Sequence, residues 1–270
     1  CKLGFVYSVS SGICDCLIIF INCGLLTINQ FKMKKIFFLA TFILSAYSYS
    51  QTIAITSEQS VTPSNWSAYL DLHDEHFGDV TFKEGSGVVV QRIRVSEGEY
   101  NMRRIRYGNM NDWGVASERE EHEGSSFWRG MGDQVEDWGP NYASKGLFYQ
   151  GGGNNKYKFA QVYEAKVNDP QTFLKAFKTW LDENKKVIKD RWINVAEFTI
   201  AGPKGATHAV TISAESWSEL EQMREAWMTN TKSAQKFFQN RGEVIDTRNF
   251  LVQRLRHFNN ENIKSGTTKE

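Results

Sequence analysis

Pro63 and Pro170 stand 107 residues apart, and Trp66 and Phe173 share that spacing. The offset relates SVTPSNWSAYLDLHDEHF (60–77) to KVNDPQTFLKAFKTWLDEN (166–184), so the chain carries two copies of one unit. Each stretch opens with a residue suited to cap a helix, Thr62 or Asp169, followed by a proline at the first helical position, where its missing N–H costs nothing. Two helices start in the same way.

What surrounds them matches too. TIAITSEQSV (52–61) and KFAQVYEAKV (158–167) alternate as strands before the helices. After them, SGVVVQRIRV (86–95) and MRRIRYGN (102–109) flank a turn in the first copy, as INVAEFTI (193–200) and THAVTIS (207–213) do in the second. WSELEQMREAWMTNTKSAQKFF (217–238) has the 3.6 period of one long amphipathic helix, and RNFLVQRLRHF (248–258) is the closing strand. The first copy closes with GLFYQ (146–150), after a Gly-rich stretch, SSFWRGMGDQVEDWGPNY (125–142), which reads as a binding loop or lid. Each copy is therefore β-α-β-β-α-β, the ferredoxin-like split unit of the α+β class.

Two such units in tandem resemble the dimeric α+β barrel superfamily, here as a fused pair in one chain. The resemblance rests on element order and the repeat, and implies two sheets packed into an intramolecular pseudo-dimeric barrel. Members include cofactor-free monooxygenases, haem-degrading enzymes, dismutase-like enzymes and proteins of unknown role, so fold does not imply function. The haem-degrading pattern wants an Asn on the first strand, and 52–61 has none. None of those catalytic residues carries over.

The N-terminal region reads separately. Met33, Lys34-Lys35 and IFFLATFILSA make a signal peptide over 33–50, with Ser48 and Ser50 before a cleavage at Gln51. Residues 1–32, which hold all four cysteines, are expected to be upstream sequence rather than protein; their apolar run is shorter than the roughly 20 residues of a bilayer span. The expected organisation is a first unit over 51–150, a linker at 151–157, a second unit over 158–258 and a polar tail at 259–270. This predicts an exported protein, periplasmic or extracellular, without a stable membrane anchor, and a monomer or homodimer. A formal net charge of +1 gives no reason to expect nucleic acid as a partner.

Candidate chemistry is sparse. Alternation puts Arg92 with Arg94, and Arg104 with Arg106, on one face of a hairpin, where a carboxylate or phosphate is received or nearby acids are paired. His208 shares a face with Val210 and Ile212, and an imidazole there is the best-placed general base of the second copy. Tyr163 and Trp217 are expected to wall an aromatic pocket, with Trp66 in the first copy. His73 and His76 are three apart, but His73 falls opposite Trp180 and faces inward while His76 falls opposite Glu183 and faces solvent. His122 is the distant third donor, so no metal site is expected, and no cofactor.

Three functions follow. The first is an exported binding protein for a small aromatic or anionic molecule in a pocket between sheet and helices. The second is a cofactor-free monooxygenase or haem-processing enzyme using His208 or His73. The third is a structural or stress-related protein whose interior is filled by its own side chains.

Overall fold

The computed structural model describes residues 52–96, 98–117, 121–151 and 156–261. The signal peptide, the upstream segment, most of the linker and the end of the tail lie outside them. The first half runs β1 (Thr52–Val61), α1 (Trp66–Phe77), β2 (Gly87–Val95), β3 (Met102–Asn109), α2 (Glu121–Gln134) and β4 (Val135–Gln150). The second runs β5 (Phe159–Val167), α3 (Pro170–Glu183), a single turn α4 (Lys185–Ile188), β6 (Ile193–Ile200) and β7 (His208–Ala214). It ends with α5 (Trp217–Thr229), α6 (Thr231–Asn240) and β8 (Val244–Phe258). Asp169 caps α3, accepting from the backbone N–H groups of Gln171 and Thr172, and Pro170 follows at its first position.

All eight strands join one closed antiparallel barrel in the order β1-β3-β2-β8-β5-β7-β6-β4. Within each half the order is that of a ferredoxin-like sheet, and the halves meet where β2 pairs β8 and β4 pairs β6. Closure leaves no free sheet edge. This is the dimeric α+β barrel architecture with both members in one chain.

The reading of 125–142 as a loop fails. Most of it belongs to α2 and the rest begins β4, a strand of 16 residues rather than the short GLFYQ. Glycines at 124, 130 and 132 made a helix look like a loop. Gly130 has a packing reason, because a Cβ there would lie 2.8 Å from Leu72 Cδ2, and its absence lets α2 approach α1 closely. The single long helix over 217–238 is also corrected to two, divided at Asn230, whose φ of −79° and ψ of 63° are not helical.

Three layers of buried side chains follow. One lies between α1, α2 and the first sheet, around Val61, Tyr69, Phe77, Met102, Phe127 and Met131. Another lies under α3 to α6, around Phe173, Phe177, Trp180, Ile193, Ile212 and Met223. The third, Ile93, Ala160, Val162, Phe250 and Val252, fills the barrel itself, as expected where eight strands leave room only for side chains.

Candidate functional site

Two charge clusters distinguish the molecule, one inside the barrel and one outside it. Inside, Glu58 on β1 and Glu164 on β5 are fully buried, and Arg248 on β8 joins them. Its Nη1 donates to Glu58 at 2.8 Å and its Nε to Glu164 at 2.8 Å, while Nη2 reaches both. Tyr142 donates to Glu58 at 2.8 Å, and Arg103 lies 3.8 Å from the same carboxylate. Burial alone would raise the Glu58 pKa, but Arg248 and Arg103 outweigh it and hold the carboxyl below its usual range. Two guanidinium groups balance two carboxylates, and the cluster ties the halves together.

Outside, the paired face predicted for Arg92, Arg94, Arg104 and Arg106 forms, but it does not converge. Arg92 lies opposite Met102, Arg104 opposite Val90 and Arg106 opposite Val88, so the four spread along the strands rather than around one point. The salt bridges weighed for them are replaced by rings. Arg92 lies 3.9 Å over Trp66, whose Nε1 donates to Val61 O; Arg106 lies 6.0 Å over Trp113; Arg104 lies 4.5 Å over Trp128. Such contacts stabilise a cation by about 0.5–2 kcal/mol, less than a desolvated carboxylate partner would.

Arg104 differs from the rest because it is buried, 3% exposed. Among the described residues the other deeply placed arginines meet carboxylates: Arg103 and Arg248 as above, Arg191 at Glu219, and Arg256 at Asp74 at 2.9 Å. Arg104 meets none, and its Nε has no hydrogen-bond partner. Burial lowers its pKa to about 10, so the group stays charged at neutral pH.

Its surroundings are polar as well. Tyr69 OH donates to Gln59 Oε1 at 2.5 Å, leaving Gln59 Nε2 buried without a partner. His73 faces inward as expected and is fully buried, its ring 4.6 Å from that of Tyr69. Its Nδ1 lies 2.7 Å from Tyr69 O, and since a carbonyl only accepts, Nδ1 carries the proton and Nε2 is a bare acceptor. Burial pushes the His73 pKa down to about 3. Trp128 covers Arg104 from the solvent side and Trp138 lies 6.0 Å from it, both nearly half exposed.

The other candidates lie elsewhere. His76 is not simply solvated; it stacks on Phe127 at 4.2 Å, while His73 meets the same ring edge-on. His208 does share the helix-covered face with Val210 and Ile212, where burial lowers its pKa and Thr207 Oγ1 lies 2.8 Å from its Nδ1. Tyr163 packs on that face too, but Trp217 follows the far end of β7, roughly 20 Å from His208 at ~3.3 Å per residue, and is 45% exposed. The wall expected from Tyr163 and Trp217 therefore does not form around His208. Among the described residues no group of three or more His, Cys, Asp or Glu side chains could hold a metal ion.

Sequence reasoning named Arg104 and put Trp128 and Trp138 in a binding loop or lid, but missed Gln59 and Tyr69 beside them, and missed Glu58 and Glu164. The signal for the carboxylates was present: each sits at the same place in its half's first strand, and the Glu58 face of β1 is otherwise uncharged.

No family model matches the chain, and no curated protein does. Solved structures do. A proposed monooxygenase of Lactobacillus acidophilus NCFM is similar at 10% identity and a TM-score of 0.52, over 76% of this chain and 94% of that one. One of Fusobacterium nucleatum subsp. nucleatum is similar at 12% and 0.49, over 78% and 96%. A variant of the chlorite dismutase of Candidatus Nitrospira defluvii is similar at 11% and 0.41, over 75% and 90%. The alignment to the Lactobacillus protein, over 76% of this chain, exceeds either half alone. This likeness bears on the fold alone: with the strand order above, this chain has the dimeric α+β barrel fold with both units in one chain.

Proposed function

We propose that the first half binds a small organic anion with aromatic character at Arg104, beneath Trp128 and Trp138. The carrying observation is the buried guanidinium without a carboxylate, in a molecule whose other deep arginines have one. A buried unpaired charge costs several kcal/mol, a cost that an incoming anion offsets. The layer between sheet and helices is filled by Tyr69, His73, Phe127 and Met131, so the ligand's ring stays at the tryptophan rim, displacing the Trp128 indole from Arg104, and only its acidic group reaches inward. Such displacement predicts saturable quenching of tryptophan fluorescence by 2-naphthoate and much weaker quenching by uncharged 2-naphthalenemethanol. Equal quenching by both would remove the role of charge.

The second reading, a cofactor-free monooxygenase or haem-processing enzyme, draws on the likeness in fold to the Lactobacillus protein. The site supplies it only with buried proton-handling groups, a neutral His73 and a Tyr69 hydroxyl whose pKa burial raises. Aromatic side chains fill the helix-covered layers of both halves, against the flat slot a haem needs. Haemin is expected to give no saturable Soret shift. Export belongs to the proposed reading, and N-terminal sequencing of the mature protein is expected to start at Gln51.

A further inference from the structure

The unpartnered atoms around Tyr69 form a specific set. Arg104 Nε–H and Gln59 Nε2–H are donors, His73 Nε2 is an acceptor with its tautomer fixed by Tyr69 O, and all three residues are at least nine-tenths buried. They share one neighbourhood: Tyr69 bonds Gln59, its ring contacts His73, and the Arg104 charge acts on both Tyr69 and His73. A fully ionised anion satisfies the donors and leaves the acceptor facing it, lone pair to lone pair. A carboxyl group that keeps a proton offers acceptors and one donor, the complement of this set.

We propose that the ligand is an aromatic monocarboxylic acid bound together with one proton, its carboxyl oxygens accepting from Arg104 and Gln59 and the proton shared with His73 Nε2. This rests on the Arg104 reading above. At neutral pH the acid is ionised in solution and His73 is neutral in the protein, so one proton is taken from solvent for each molecule bound. The balance is carboxylate plus protein plus one proton giving the complex, with no covalent change. The groups acting on His73 favour this order of events. Arg104 on β3, Arg256 on β8 and His76 on α1 all oppose a charge on the ring, so it gains a proton only when an anion arrives. Phe127 of α2 closes its other side.

The test is calorimetric titration of the full protein with benzoate and, separately, with benzenesulfonate, which carries no proton in this range. Each is measured at pH 6, 7 and 8 and in two buffers of different ionisation enthalpy. The expected result is uptake of one proton per benzoate, with Kd rising about tenfold per pH unit, and a sulfonate Kd that is weaker and independent of pH. Benzoate and benzenesulfonate binding alike, without proton uptake, would overturn this inference and leave the Arg104 reading standing. Binding of neither would overturn both, leaving the three atoms to a buried water. His73→Phe keeps the aromatic contacts and is expected to abolish the uptake. If that variant does not fold, the wild-type proton count decides alone.

Discussion

The two halves share a backbone plan and differ in what they bury beneath their helices. Register makes Arg104 on β3 the counterpart of Val210 on β7, and Gln59 on β1 the counterpart of Ala165 on β5. On the helices, His73 stands where the second half has Trp180. At these three positions the second half is apolar and joined into one large aromatic core with Phe173, Phe177 and Phe237. The first half places a cation, an amide and an imidazole at the same depth. Because both halves close the same barrel, the polar set is not needed to make this fold. As a set of three it belongs to the first half; the second half buries a lone imidazole, His208, on its helix-covered face.

Exchanging residues between the halves breaks the comparison in steps. The largest effect is expected for Trp180→His, which gives the second half the first half's imidazole, loses a buried indole and lowers stability by about 3–4 kcal/mol in denaturant unfolding. Next is Val210→Arg, which sets a guanidinium in the second half's partly buried apolar layer beside Tyr163 and costs about 2–3 kcal/mol. Tolerance of either change would mean that the second layer is less committed to its apolar packing than its burial implies.

A smaller effect comes from pH. Burial holds His73 near pKa 3 and His257, whose Nε2 lies 2.7 Å from Tyr107 OH, near 4. Both are neutral when folded and take a proton near pH 6.5 when unfolded, so the unfolded chain binds more protons at mildly acid pH. Their contribution is whole above about pH 6.5 and is lost as pH falls towards the folded values. Stability is expected to drop by about 2 kcal/mol per histidine between pH 7.5 and 5, and His73→Phe should remove its share of that slope. An unchanged slope in the variant would contradict the buried neutral imidazole.

Much of the barrel was legible because period-2 alternation survives wherever one sheet face packs on helices. The bounds of β1, β3 and β6 were read as they stand, and β2 within a residue. What failed was local chemistry overridden by tertiary packing. The glycines of α2 signal a turn but serve the approach to Leu72, and Gly139 and Pro140 hid a strand that the barrel extends through them. For the site, alternation placed four arginines on one face correctly. Their depth was not legible, since it depends on α2 lying over Arg104 and not over Arg94 or Arg106. Pairing across β1, β5 and β8, which joins Glu58 to Glu164 through Arg248, is equally beyond a local reading.

The central claim is that Arg104 is held in the first half for a ligand and not for the fold. Replacing it by methionine, similar in length and apolar like its counterpart, tests this with two readouts on one protein: urea unfolding and quenching by 2-naphthoate. The prediction for Arg104→Met is a stability gain of roughly 1–2 kcal/mol together with loss of saturable quenching. A variant destabilised by 2 kcal/mol or more, or one that still binds the anion, would contradict the account.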